Sequence, residues 1–184
     1  MICVPDTPPL IQGTLILLRP PSYADKQDRL AIGRDADYAR MVGETFIDTP
    51  FTAAEVDEWL HWLQSQTAGW VIDLDGRCIG EARLHHLSRQ DRRARYAIGI
   101  FDPDVRGQGI GTEVTRLVLD YAFGSMGLHR VDLRVLSYNN RAIAAYDRCG
   151  FVVEGIERES AFVDGQWHDD VMMAILEHEY HRQV

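Results

Sequence analysis

The stretch that decides the fold is Arg95 to Thr112, which reads RYAIGIFDPDVRGQGIGT. It begins as an apolar, β-like run and ends in a glycine-rich turn. The residues that follow, Glu113 to Phe123, carry apolar side chains at helical spacing. A helix that starts directly after glycines presents free backbone N–H groups and a partial positive charge to an anion. The stretch therefore predicts a strand, a phosphate-binding turn and a helix in succession.

The glycine spacing excludes two common nucleotide-binding loops. The chain has no Gly-x-x-x-x-Gly-Lys-Ser/Thr, which excludes a P-loop. A dinucleotide fingerprint needs a third glycine where Thr112 stands, five residues after Gly107. The pattern Arg106-x-x-Gly109-x-Gly111 instead resembles the acyl-CoA pyrophosphate loop of the GCN5-related N-acetyltransferases, the GNAT family. A simple tight turn is the alternative interpretation.

Three further blocks carry the same resemblance. Asn139 to Phe151 resembles a later family motif, in which an asparagine caps a helix, a tyrosine (here Tyr146) follows seven residues on, and Gly-Phe ends the block. Leu15 to Pro20, followed by Asp25, resembles the first strand of the branch that contains ribosomal-protein alanine and spermidine acetyltransferases. Asp164 to Asp169, before an apolar strand, resembles the same branch. Four blocks in the right order identify the chain as a member of this family.

The resemblance implies the GNAT acyl-CoA N-acyltransferase fold, an α/β fold whose helices flank a central, mostly antiparallel mixed sheet. Segments that alternate between strand-like and helical patterns agree with such a sheet. The patterns predict strands at 14–19, 70–74, 77–87, 92–101, 129–136, 152–163 and 171–176, and helices at 22–32, 53–64, 111–125 and 140–149. Thr52 and Glu55 have the spacing of a capping box, and Asp75-Gly76 predicts a hairpin turn. The 184 residues fit a single acetyltransferase domain over 1–184.

Composition limits the partners and the compartment. The chain has 19 basic and 28 acidic residues and a net charge of −9, which argues against nucleic acid and anionic membranes as partners. It has neither a long apolar run nor a signal-peptide pattern, so we expect a cytoplasmic protein. Cys3, Cys78 and Cys149 are odd in number and far apart, which predicts neither a disulfide framework nor a metal site; we expect packing or simple tolerance to explain them.

The resemblance makes acetyl-CoA the co-substrate. It implies that pantetheine lies between the strand before the loop and the 129–136 strand, and that a backbone N–H near Ile100 or Phe101 is the oxyanion donor. Gly99 suits a local bulge there. Arg141 shares a helix face with Arg148, and either is a candidate for the CoA phosphates. The residues expected to bind acetyl-CoA are Ile100, Phe101, Arg106, Gly107, Gln108, Gly109, Ile110, Gly111, Thr112, Asn139 and Arg148.

Acetyl transfer to an amine needs a base, because an alkylammonium group with a pKa of about 10 is not a nucleophile, and an acid for the departing thiolate. By the resemblance Tyr146 is the general acid; a core tyrosine is the alternative. The glutamate that many relatives place before the loop is replaced by Arg95. Glu81 and His85 share a face of the preceding strand, so either is a candidate base, beside a water chain.

The sequence leaves three classes of amine open as the acceptor of the acetyl group. The segment from Asp25 to Glu58 holds nine acidic and four basic residues, and in the resembled family this region walls the acceptor site. Its acidity favours a small polycation, an aminoglycoside antibiotic or a polyamine; most of these acids also fit a solvated helix surface. A ribosomal-protein-like N-terminal amine and a free amino compound are the other classes. A non-catalytic acetyl-CoA sensor is the alternative to an enzyme, and the resemblance makes a homodimer plausible.

Overall fold

An eight-stranded sheet forms the centre of the protein, in a computed structural model that describes residues 7–180. The strands are β1 (Ile11–Gln12), β2 (Leu17–Arg19), β3 (Ala68–Leu74), β4 (Arg77–Ser88), β5 (Arg93–Ile100), β6 (Arg130–Leu136), β7 (Val152–Val163) and β8 (Gln166–Leu176). The helices are α1 (Asp25–Ile32), α2 (Ala36–Val42), α3 (Ala53–Gln64), α4 (Ile110–Asp120), α5 (Asn140–Asp147) and α6 (Glu177–Tyr180). Within 7–180, no helix combines the length and the apolar composition needed to cross a membrane.

The strand order is β1-β2-β3-β4-β5-β6-β8-β7, and every neighbouring pair is antiparallel except β5 and β6. This confirms the expected α/β fold with its mostly antiparallel mixed sheet. The parallel pairing joins only Arg93–Arg95 to Arg130–Asp132, although β5 runs on to Ile100 and β6 to Leu136. The two strands therefore separate beyond Arg95 and open a cleft, as the resemblance implied.

Apolar residues cover both faces of the sheet. The larger core contains Trp70 and Tyr96 from the sheet and Val114 and Val118 from α4. A smaller cluster on α3 and its neighbouring strands joins Leu63 to Val71 and Cys78. Each fully buried side chain of this size stabilises the fold by about 1.5–3 kcal/mol. Cys78 and Cys149 are buried and free, as packing roles require, and Cys3 lies outside the described residues.

Two local signals are confirmed. The predicted capping box begins α3: Thr52 Oγ1 accepts a hydrogen bond from the Glu55 N–H at 3.2 Å, and Glu55 Oε2 accepts one from the Thr52 N–H at 2.8 Å. Asp75 and Gly76 both have positive φ, 52° and 82°, and join β3 to β4 in a tight hairpin. Local sequence therefore determines where α3 begins and where β3 turns into β4.

Several predicted elements differ from the structure. Only Leu17–Arg19 of the predicted 14–19 strand forms a strand, β2, and β1 lies before it; the 111–125 helix ends at Asp120 before a single π-helical turn, Tyr121–Ser125. β8 starts at Gln166 rather than at 171. Helix α2 was not predicted, although Asp35 Oδ1 caps it by accepting from the Tyr38 N–H at 2.7 Å. Gly43, with a φ of 82°, ends it.

The expected bulge at Gly99 is wrong. Gly99 pairs directly with Glu81, and the register between β4 and β5 shifts only between His85 and Ser88. Gly99 is required for another reason: a Cβ there would lie 2.4 Å from the Tyr38 hydroxyl oxygen and 3.2 Å from two ring carbons. The missing side chain therefore lets α2 pack its tyrosine directly on β5.

A Gly99→Ala substitution tests this packing. We expect it to destabilise the protein by about 1–3 kcal/mol, because the added methyl group must displace a half-buried tyrosine. Thermal unfolding measures the loss. Adding Tyr38→Phe removes the atom at 2.4 Å and leaves ring carbons at 3.2 Å, so the double variant should recover much of the stability. A double variant no more stable than Gly99→Ala would contradict the proposed clash.

Candidate active site

A cavity of about 1520 Å³ opens where β5 and β6 separate. Thirteen of the residues singled out from the sequence line it: Glu81, His85, Ile100, Phe101, Arg106, Gly107, Gly109, Gly111, Thr112, Asn139, Arg141, Tyr146 and Arg148. Gln108 and Ile110 do not. The Gln108 side chain donates to the Asp104 carbonyl at 2.9 Å, and Ile110 is 2 % exposed in the core. Only their backbone N–H groups remain for the predicted role.

The loop between β5 and α4 presents a row of free backbone donors. From Gly107 to Gly111 no backbone N–H has a hydrogen-bond partner among residues 7–180. The next two N–H groups, of Thr112 and Glu113, donate to the Gly109 carbonyl at 3.0 and 3.1 Å. Positive φ angles at Gly107 (80°) and Gly109 (87°) curve the loop. Five adjacent donors at a helix N-terminus form a nest that suits phosphate oxygens.

Arg106 supports this loop from behind. Its Nε donates to the Ile100 carbonyl at 3.1 Å and its Nη2 to the Phe101 carbonyl at 2.7 Å, while Nη1 pairs with Asp35 at 2.6 Å. The guanidinium thus fastens the loop to the end of β5 and to the cap of α2. Because these contacts occupy the side chain, the anion site of the loop rests on backbone donors.

Nine arginines line the cavity, and six of them pair with carboxylates: Arg34, Arg83, Arg95, Arg106, Arg134 and Arg141. Arg29, Arg116 and Arg148 have no ion pair within the described part of the chain. Arg116 lies one turn after Thr112 on α4, and its Nη2 donates to the Arg148 carbonyl at 3.4 Å. Two unpaired cations, on residues in contact with each other, therefore line the cavity. Sequence reasoning missed Arg116, although its helical spacing from the loop was a usable signal.

Of the two backbone N–H groups expected as the oxyanion donor, those of Ile100 and Phe101, only one faces the cleft. The Phe101 N–H donates to the Ile79 carbonyl at 2.9 Å, so it points toward β4 and away from the cleft. Successive N–H groups along a strand point to opposite sides, which directs the Ile100 N–H toward β6. Pairing with β6 ends at Arg95. The Ile100 N–H therefore faces the open part of the cleft. Phe101 lines the cavity with its ring.

Tyr146 lies at the centre of the cleft wall. The residue is 9 % exposed, and its ring meets that of Tyr96 edge-on and that of Phe151 at a tilt, at centroid distances of 6.3 and 5.8 Å. Its hydroxyl donates to no group in residues 7–180. Burial raises the pKa of the Tyr146 phenol above its usual value, so it keeps its proton at neutral pH. A buried, protonated and unpaired hydroxyl that lines the cavity can donate to a bound group.

Asn139 caps α5, as predicted, and also ties it to α2. Its Oδ1 accepts from the Ala142 N–H at 3.1 Å, and its Nδ2 donates to the Met41 carbonyl at 3.2 Å. One amide hydrogen and one lone pair remain unused by these bonds. The residue can therefore hold the helix and still meet a ligand amide.

Glu81 and His85 lie on the same face of β4, opposite Gly99 and Arg95. Glu81 is 4 % exposed and accepts from Trp59 Nε1 and Arg83 Nη1, both at 2.6 Å. Burial raises the pKa of the Glu81 carboxyl above its usual value, against the opposing effects of these two donors. Burial and the nearby cations lower the pKa of His85 to about 4.

The acidic segment 25–58 does not form an acidic wall. Of its nine acids only Glu44 and Glu55 line the cavity, and Glu55 pairs with Arg34 at 2.6 Å. Asp25 pairs with Arg19 at 2.6 Å, and Asp57 pairs with Lys26. The charges of this segment are therefore used largely to hold the helices against one another and against the sheet.

A parallel strand pair that opens beside a backbone phosphate nest defines an acyl-CoA transferase cleft. Residues 16–152 match the sequence profile described as "Acetyltransferase (GNAT) domain". The chain therefore belongs to the GNAT family and is an acetyl-CoA-dependent N-acetyltransferase.

Relatives and solved structures agree with this membership. The chain is 28% identical to the probable N-acetyltransferase YjcK of Bacillus subtilis (strain 168) over 175 residues, 91% of this chain and 97% of that protein. It is 33% identical to the spermidine N(1)-acetyltransferase of Escherichia coli (strain K12) over 111 residues, 60% of this chain but only 59% of that protein. The spermidine N-acetyltransferase from Vibrio cholerae, solved in complex with CoA and spermine, superimposes with a TM-score of 0.77 at 25% identity, covering 92% of this chain and 99% of that one.

Proposed function

We propose that the chain transfers the acetyl group of acetyl-CoA directly to the primary amine of a small molecule. The observation that carries this proposal is the nest of five free N–H groups, Gly107 to Gly111, beside a cleft that holds a protonated tyrosine and a buried carboxylate. These groups match the three requirements of the reaction: phosphate binding, acid catalysis and base catalysis.

The binding half of the site combines backbone and side-chain donors. The nest takes the pyrophosphate, and Arg116 and Arg148 add two charges beside it that no carboxylate of residues 7–180 neutralises. The remaining amide hydrogen and lone pair of Asn139 bind the amides of the pantetheine arm. The Ile100 N–H is directed at the thioester carbonyl, where negative charge develops during attack. Acetyl-CoA supplies the activated acetyl group.

Protons move between three groups. Glu81 takes one proton from the substrate ammonium, which frees the nitrogen lone pair for attack on the thioester carbon. As the C–N bond forms and the C–S bond breaks, Tyr146 gives its proton to the departing sulfur. The second amine proton leaves to water, Glu81 passes its proton to solvent, and Tyr146 is reprotonated from solvent, so each turnover releases one net proton.

Glu81 is a better base than His85 for a physical reason. A base works best when its pKa lies near the operating pH. Burial moves the pKa of Glu81 upward toward neutrality, whereas the pKa of His85, at about 4, leaves its imidazole a weak proton acceptor. Arg95, at the usual position of the family glutamate, pairs with Asp132 at 2.8 Å and takes no proton.

A polyamine is the second candidate acceptor, because the spermidine acetyltransferases are among the relatives. The charge of the cleft does not favour it, since nine arginines and only five carboxylates line the cavity. The same objection applies to an aminoglycoside. The acceptor test must therefore include amines of every charge.

Thiol release from acetyl-CoA by the purified chain tests the proposal. The panel contains polyamines, aminoglycosides, free amino acids and short peptides with free N-termini. We expect release that depends on a small-molecule amine, and mass spectrometry should find one added acetyl group on that amine. Release with peptides alone would move the activity to N-terminal acetylation. Tight acetyl-CoA binding without release for any acceptor would indicate a sensor and overturn the proposal.

A further inference from the structure

Arg29 differs from every other arginine of the cleft. The residue is only 7 % exposed, yet it has no ion pair with any carboxylate of residues 7–180. Its one side-chain hydrogen bond to the described part of the chain runs from Nη1 to the Gly33 carbonyl at 2.8 Å. Burial lowers the pKa of its guanidinium, and the nearby charge of Glu81 opposes this effect only in part. The other two unpaired arginines, Arg116 and Arg148, are exposed and lie beside the phosphate nest.

The neighbours of Arg29 place it in the acceptor half of the cleft. Its guanidinium lies over the rings of Phe51 and Phe101 at 4.1 and 4.2 Å. The Phe101 ring also contacts Trp59 edge-on at 5.8 Å, and the Trp59 indole N–H is bound to Glu81. Arg29 and the proposed base therefore share one aromatic cluster. Phe101 is the residue after Ile100, whose N–H is the proposed oxyanion donor.

A donor that is both fully buried and unsatisfied belongs to Arg83, which lines the same cleft. The Nε of Arg83 is buried and has no hydrogen-bond partner in the described chain, although its Nη1 is bound to Glu81 at 2.6 Å. A buried N–H without an acceptor is destabilising, because it has lost its hydrogen bond to water and gained no other. Two donors left without acceptors around one carboxylate indicate that an acceptor group arrives with a ligand.

We propose that the amine substrate also carries a carboxylate, which Arg29 binds together with the free Nε of Arg83, so that the acceptor is a small zwitterionic amine of the free amino acid type. This rests on the proposed function. Guanidinium groups bind carboxylates through paired, charge-assisted hydrogen bonds, and a buried one gains most from such a partner. The ammonium group of the same molecule then contacts the Glu81 carboxylate, so each charged group of the substrate lies beside an opposite charge. A polyamine would bring more positive charge to the uncompensated Arg29.

Matched acceptors separate this proposal from plain amine acetylation. Each of several amino acids is compared with its primary amide and with the amine left after removal of the carboxyl group. Acetylation is followed by thiol release and by mass spectrometry at saturating acetyl-CoA. Charge-assisted hydrogen bonds of this kind correspond to a preference in kcat/KM of roughly 10- to 100-fold for the free amino acid.

Two variants assign the preference to Arg29. Arg29→Gln should reduce kcat/KM for the amino acid roughly 10- to 100-fold and leave that for the matched amide almost unchanged. Arg34→Gln is the control: Arg34 lies over the same Phe51 ring at 4.0 Å, but Glu55 neutralises it. It should keep the preference. Arg29→Lys retains the charge and should keep part of the preference, which guards against a variant that merely loses its fold; thermal unfolding checks each protein.

The two proposals fail in different ways. Equal rates for amino acids, amides and decarboxylated amines, or faster rates for polyamines, would overturn the zwitterionic acceptor and leave the acetyltransferase proposal intact. Loss of the preference in Arg34→Gln but not in Arg29→Gln would overturn the assignment to Arg29. Absence of release with every amine would overturn the proposed function, and this inference with it.

Discussion

Tyr146→Phe should reduce kcat about 100-fold at neutral pH while acetyl-CoA still binds with almost the same affinity. General acid catalysis contributes about 10²- to 10⁴-fold. A thiolate leaves readily, since thiols have a pKa of about 8.5, so the lower end of that range is expected. The Tyr146 hydroxyl bonds to nothing in residues 7–180, so its loss should not lower the free energy of unfolding. Thiol release, acetyl-CoA titration and thermal unfolding measure the three quantities.

Tyr96→Phe is the matched control for this variant. Tyr96 is also buried and contacts the Tyr146 ring, but its hydroxyl lies 3.1 Å from Thr115 Oγ1. Removing that hydroxyl should cost about 1 kcal/mol of stability and leave turnover nearly intact. The two tyrosines thus separate a structural hydroxyl from a catalytic one. Unchanged kcat in Tyr146→Phe would contradict the role of general acid.

Elements with strong local signals could be predicted from the sequence. The capping box at Thr52 and Glu55 and the Asp75-Gly76 turn act over a few residues, and both form as expected. Helix α2 carries signals of the same kind, a capping Asp35 and a terminal Gly43, but its seven residues are too few for a clear apolar period. A short helix between two caps is easily taken for a loop.

The composition of the cleft could not be predicted, because it depends on long-range pairing. The acids of 25–58 suggested a wall for a polycation, yet partners distant in sequence neutralise them: Asp25 pairs with Arg19, and Asp35 with Arg106. The prediction of a bulge at Gly99 was wrong for the same reason, because the glycine is required by Tyr38, which packs on it from α2. The unpaired arginines can be identified only from the ion pairs of the folded protein. No sequence pattern distinguishes Arg29 from the others.

Glu81→Gln should reduce kcat/KM at neutral pH by about 100-fold or more, the usual contribution of a general base. The amide keeps an oxygen to accept the Trp59 N–H, now at 2.6 Å from Glu81, but it cannot take a proton from the substrate. The variant also leaves Arg83 without its carboxylate, so thermal unfolding must accompany the kinetics.

The pH profile gives the sharper test of the base. A carboxyl whose pKa is raised by burial is protonated, and inactive as a base, below that raised value. The activity of the natural chain should therefore fall, as pH decreases, at a pH above the ordinary glutamate pKa of about 4.3. Glu81→Gln should lose this step and retain only the titration of the amine itself.

His85→Asn decides between the two candidate bases on β4. His85 lies on the same face as Glu81, but its pKa of about 4 makes it neutral and weakly basic in the working range, so the substitution should cost little activity. A large loss in His85→Asn with little loss in Glu81→Gln would reverse the assignment. Small losses in both would indicate that water carries the proton out of the cleft, and that the carboxylate of Glu81 serves only to orient Trp59 and Arg83.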